Sequence, residues 1–164
     1  MSKFNELVQR VIKWSEGIDL YNQSTEMQQV SKAFEEIAEL IAAIDDGNLH
    51  EIKDAIGDIL VCTSNARYLH DGRKISKKPS IIGCHVHELI SSLCDDLMHS
   101  HYLKVTAILG GICREYKTTL DECFEIAVDV IEKRKLLMDN GKAVKWENMT
   151  DGQRDQWRVL NENN

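Results

Sequence analysis

Proline is almost missing from this 164-residue sequence, which holds one, and aromatic side chains make up only 6% of it. With so few of the residues that favour pleated sheets and tight turns, the chain is a poor all-β candidate and a better helical one. No stretch reaches the roughly 18–20 apolar residues of a membrane span. Cations are outnumbered, 20 Lys and Arg against 27 Asp and Glu, for a formal charge of −7. That sign argues against a face built for nucleic-acid backbone, while leaving room for small anions met by a metal or a local basic group. Cys62, Cys84, Cys94, Cys113 and Cys123 form an odd set with no CxxC pair, which suits reduced core thiols in a cytosolic protein. The opening "MSKFNELVQRVIKW" is amphipathic and lacks the apolar block of a signal peptide, so the expected setting is cytoplasmic.

What is present is helical periodicity. Phe4, Leu7, Val8, Val11 and Trp14 share one face of a first helix that Gly17 ends. After the polar link "IDLYNQS", Thr25 and Gln28 stand in capping-box positions for a second helix reaching Asp46, with Phe34, Ile37, Ile41 and Ile44 as its apolar face. "DDGNLH" is a turn, and a third helix follows from about Glu51 to His70. "DGRKISKKPS" is a loop, "HELISSLCDDLM" and "YLKVTAILGGICREY" a second helical hairpin, and "LDECFEIAVDVIEKRKLLMDNG" a long last helix closed at Asn140–Gly141. No strand alternation stands out. The expected architecture is an all-α bundle of about five to six helices built on antiparallel hairpins. It forms one domain over residues 1–141, and residues 142–164 form a polar tail with Trp146 and Trp157 as docking points.

The chemistry-bearing stretch is "KAFEEIAELIAAIDDGNLHEIKDAIGDIL", residues 32–60. At about 100° per residue Glu35, Glu36 and Glu39 occupy a single sector of one helix, and Asp54 and Asp58 share a face of the next. A short turn between the helices allows the two acidic faces to oppose each other. Five carboxylates so placed form a hard-oxygen set suited to Mg²⁺. A solvated acidic surface is the plain alternative. Against it, the positions four residues after Glu35, Glu39, Asp54 and Asp58 hold no cation, and like charges at that spacing cost about 0.2–0.5 kcal/mol per pair. Ala38, Ala42, Ala43 and Ala55 further suggest space kept clear beside the acids.

The EExxE box at Glu35, Glu36 and Glu39, followed by "DAIGDIL", resembles the all-α nucleoside triphosphate pyrophosphohydrolases of the MazG type, in particular their short phage versions. The resemblance extends to Trp14, to "QQVSKAFEE" and to "ECFEIAVDVIEKRK", covering residues 10–66 and 119–145. It departs at Ala55, where the usual ExxD motif has Glu, and at Asp129 and Leu136, where relatives usually have Asn and Gly. The resemblance implies Mg²⁺-dependent cleavage of a nucleoside triphosphate between its α and β phosphates, with Mn²⁺ as a substitute metal. It implies Glu36, Glu39 and Asp58 as metal ligands, with Asp54 standing in as a fourth, and Glu35 as a ligand or a base toward water. Lys32 and Arg134 match basic positions for the phosphates, with Lys133 beside them, and Trp14 is a candidate to stack on the base. A homodimer or homotetramer is implied as well. Arg73, Lys74, Lys77 and Lys78 form a loop able to close over the phosphates.

Two other readings compete. His70–Asp71 gives an HD dipeptide of the kind used by another class of helical metal phosphohydrolases, and the pairs His85–His87 and His99–His101 invite a zinc site without a recognised ligand spacing. A non-catalytic helical interaction protein that retains the fold is the alternative from a different class, with Ala55 as its best support.

Overall fold

A computed structural model describes residues 2–72, 85–139 and 142–161. The first helix, α1 (Lys3–Gly17), starts where the Ser2 hydroxyl accepts from the Asn5 amide. It buries Phe4, Leu7 and Val11, as the apolar spacing predicts. The link expected after it contains a one-turn helix, α2 (Leu20–Gln23), which follows Asp19 in a left-handed conformation at φ 61°. Asp tolerates that region better than bulkier residues, and the Asp19 carboxylate accepts from both Asn22 and Gln23.

Helix α3 (Glu26–Asp45) opens on the expected capping box: the Thr25 hydroxyl accepts from the Gln28 amide, and the Gln28 side chain accepts from the Thr25 amide. Its inward face is Val30, Ala33, Glu36, Ile37, Leu40 and Ala43. The expected face is therefore rotated, because Ile41 is 47% exposed and Phe34 and Ile44 are only partly buried. Gly47, at φ 65°, turns the chain, and Asn48 caps α4 (Leu49–Asp71). Helix α4 is the central rod, packed against α1, α3, α6 (Tyr102–Glu115) and α7 (Leu120–Ile131). Being covered on most sides, it buries residues at nearly every angle, including Thr63 and Asn65.

Helices α5 (Val86–Met98) and α6 form the second hairpin. Gly110 and Gly111 lie buried within α6, which continues to Glu115. The stretch holding Arg73, Lys74, Lys77 and Lys78 lies outside the described residues, as do Cys84 and the Asn140–Gly141 pair. Among the described residues Cys62, Cys113 and Cys123 are buried free thiols, and Cys94 is partly buried.

The end of the chain corrects the long last helix. Helix α7 stops at Ile131, and the chain then pairs strand β1 (Leu136–Asp139) with β2 (Lys142–Lys145) antiparallel, Leu136 opposite Lys145. A 3-10 turn (Trp146–Asn148) and α8 (Asp151–Asn161) follow. Lys135 stands 5.0 Å from the ring centres of both Trp146 and Trp157, whose rings meet edge-on 5.3 Å apart. The described residues thus hold eight α-helices and a two-stranded sheet, mostly helical as expected but with more and shorter helices. None of them is long and apolar enough to cross a membrane.

Candidate functional site

Helices α3 and α4 run antiparallel, so Glu36 and Asp58 come to the wall of one cavity of about 420 Å³. Trp14 enters this cavity from α1, Leu20 from α2, and Arg134 from the turn between α7 and β1. The strands close one side with Leu136, Met138 and Lys145. Six of the residues singled out from the sequence therefore meet here: Trp14, Lys32, Glu35, Glu36, Asp58 and Arg134.

Glu36 is the buried acid, 5% exposed. Charges are rarely so buried without a partner, and here Lys32 supplies one, with Nζ 2.9 Å from Glu36 and 2.7 Å from Glu35. The acidic box is therefore not free of neutralising cations; the partner lies three and four residues before the acids rather than four after. Burial opposes the charge on Lys32, but the two carboxylates outweigh it and raise its pKa.

Asp58 faces the opposite pull. Burial, then the charges of Glu36 and Asp54, push its carboxyl up to about 6, although Arg134 acts to lower it. Glu39 is exposed and is raised as well, first by Glu36 and then by burial, with Asp54 adding to the effect. Neither Glu39 nor Asp54 lines the cavity, yet both share its electrostatic field. Cys62, one turn after Asp58 on α4, also lines the wall, and burial, then the charges of Glu36 and Asp58, raise its thiol.

The carboxylates fit magnesium in kind, as hard oxygen donors whose mutual repulsion a cation would relieve. Among the described residues no three His, Cys, Asp or Glu side chains converge closely enough to enclose an ion. Lys32 holds Glu35 and Glu36 in this arrangement instead.

Other expected residues fall elsewhere. Lys133 does not line the cavity, and its charge acts on Asp129. Asp129 itself pairs with Arg10 at 2.7 Å, and Arg10 also reaches Glu132 at 2.6 Å, tying α1 to the end of α7. The four alanines do not clear the space: Ala43 and Ala55 are buried in the core, Ala38 and Ala42 are exposed, and none borders the cavity. His70 lies 3.0 Å from Glu26, which also accepts from Ser100 and Tyr102, so it links α4 to α3 and α6 away from the cavity. His85, His99 and His101 stand at helix ends, with His101 bonded to Asp96.

Among the cavity residues that went unrecognised in the sequence are Asn65 and Lys145. Asn65 is seven residues after Asp58, within about 20° of the same face of α4, so periodicity could have found it. Lys145 arrives through the β1–β2 pairing, for which no local signal exists. No family model, curated protein or solved structure compared with the chain matches it.

Proposed function

We propose that the chain is a Mg²⁺-dependent nucleoside triphosphate pyrophosphohydrolase of the MazG type, acting in the cavity between α3 and α4. The observation that carries this reading is the meeting of buried Glu36 and part-buried Asp58 with Lys32, Arg134 and Trp14 around one cavity. Acids alone repel a triphosphate; acids beside cations and an aromatic wall suit a metal-laden nucleotide.

In this reading Glu36 and Asp58, which line the cavity, would hold the metal, and Glu39 and Asp54, just outside its wall, would complete the set by turning toward it. When bound, magnesium offsets phosphate charge and acidifies water. Lys32 and Arg134 face the phosphates; to do so Lys32 exchanges a carboxylate contact for a phosphate oxygen. Glu35, exposed at the rim, accepts the proton of the attacking water. The water oxygen bonds to the α phosphorus, the α–β anhydride bond breaks, and pyrophosphate leaves with the bonding pair. Trp14 flanks the base. The active unit is a homo-oligomer, for which exposed Ile41 between Ala38 and Ala42 on α3 offers an apolar contact.

One observation favours the non-catalytic alternative: Ala55, where the resembling family has an acid, is only 4% exposed and belongs to the core. Calorimetric titration with a non-cleavable α,β-methylene nucleotide separates the two readings. The enzyme reading expects binding that requires Mg²⁺ and is lost in Asp58→Asn. An interaction protein would bind none.

A further inference from the structure

Asn65 is 1% exposed, yet its side chain borders the cavity. Its Oδ1 accepts from the Ser15 hydroxyl and the Tyr21 hydroxyl, each at 2.8 Å. With Oδ1 engaged by these two hydroxyls, the Nδ2 protons remain, and they find no partner among the described residues. A buried amide donor normally finds an acceptor. Nδ2 is also not among the fully enclosed side-chain atoms of the described residues that lack a partner. Its open side is therefore the cavity. The clamp is well supported, since Tyr21 stacks on Tyr68 at 3.9 Å and the Tyr68 hydroxyl bonds Glu16 at 3.2 Å.

Position adds the second half of the case. Asp58, Val61, Cys62 and Asn65 border the cavity from successive turns of α4, so Asn65 lies two turns, about 10 Å, along the axis from Asp58. The acids and Lys32 mark the phosphate end, which leaves the base at the Asn65 end, where Trp14 and Leu20 also stand.

We propose that Asn65 selects the base of the nucleotide, donating from Nδ2 to a carbonyl oxygen of a keto base. This rests on reading the cavity as a nucleotide site. A base that presents an amino group there meets donor with donor, leaving both unsatisfied, which is the arrangement that discriminates most strongly between ligands. Ser15 and Tyr21 are positioning residues: they hold the amide in its plane, and when both hydroxyls donate to Oδ1 the Nδ2 face is the one turned to the base.

The test is a comparison of kcat/KM for dTTP, dUTP, dGTP, dCTP and dATP with Mg²⁺, in the wild type and in Asn65→Asp, Asn65→Ala and Tyr21→Phe. Wild type should favour the keto bases. Asn65→Asp keeps the shape and replaces a donor by an acceptor, so the ranking should swing by about tenfold or more toward dCTP and dATP. Tyr21→Phe should narrow the differences between bases, because Oδ1 loses one of its two hydrogen-bond partners. Wild type itself should use 4-thio-dTTP more slowly than dTTP, because sulfur is the poorer acceptor, and this comparison stands even if an Asn65 variant fails to fold. Hydrolysis that falls in equal proportion for every base, with 4-thio-dTTP equal to dTTP, would overturn the role of Asn65 and leave the nucleotide site standing. Failure of the wild type to turn over any triphosphate would overturn both.

Discussion

Asp58 is ionised against its surroundings. Its carboxyl is raised to about 6 by burial and by Glu36 and Asp54, whereas an unfolded Asp titrates near ~3.9. The folded state therefore holds this proton more tightly than the unfolded chain does. Stability is unaffected below about pH 4, falls as pH rises between the two pKa values, and stays reduced above about pH 6. Discounted for its partial contact with solvent, the cost at pH 8 is on the order of 2 kcal/mol. In chelator-containing buffer Asp58→Asn should be more stable than wild type at pH 8 and equal to it at pH 4, as read by urea unfolding at both. The same substitution should abolish Mg²⁺-dependent turnover, the pairing of gained stability with lost function that marks a strained site. Glu39→Gln, which relieves repulsion from Glu36 at an exposed position, should not lower the melting temperature but should lower kcat/KM about a hundredfold or more. Lys133→Ala, at a lysine whose charge acts on Asp129 rather than on the acids of the cavity, should leave kcat/KM within about twofold of wild type. Parity between Glu39→Gln and Lys133→Ala would count against the carboxylates as the working groups.

The site depends on how closely the elements approach. A Cβ built on Gly57 would lie 2.3 Å from the Cys123 carbonyl oxygen and 2.7 Å from the Ala127 Cβ, so α4 meets α7 where no side chain fits. Gly57→Ala gains about 1 kcal/mol of helix propensity but pushes backbone against backbone, for a net loss of about 2–3 kcal/mol. Thermal denaturation should show a lower midpoint, and turnover should fall with it because Asp58 is the next residue. The elements also explain what could be read beforehand. Helices α1, α3 and α4 declare themselves by apolar spacing, and α3 also by its cap at Thr25, all local signals. The inward face of α3 was harder, since Ile41 and Phe34 are as apolar as Ile37 and Leu40, and only contact with α4 decides between them. Glu36 was legible as an acid of the motif but not as a buried one. The apolar spacing of α7 lapses after Ile131, where the next two face positions are Arg134 and Lys135, but nothing local marks the Leu136–Asp139 run as a strand. Pairing with β2 decides the matter, and that information lies outside the segment.

On the scale of the whole molecule, the bundle brings an acidic pair of helices, a basic turn and an aromatic wall from α1 around one cavity while the chain carries a charge of −7. A divalent cation lowers the repulsion within that set, and binding to the folded state alone stabilises it by mass action. Saturating Mg²⁺ should therefore raise the melting temperature at pH 8 by a few degrees. The rise should shrink at pH 5, where Asp58 keeps its proton, and be absent in Asp58→Asn. Sedimentation should find a homodimer or homotetramer that Ile41→Glu weakens. The most direct measurement is product analysis: triphosphates incubated with and without Mg²⁺, and the products separated by ion exchange. The account predicts Mg²⁺-dependent nucleoside monophosphate and pyrophosphate in equal amounts. Diphosphate with orthophosphate, or unchanged triphosphate across the panel, would contradict it.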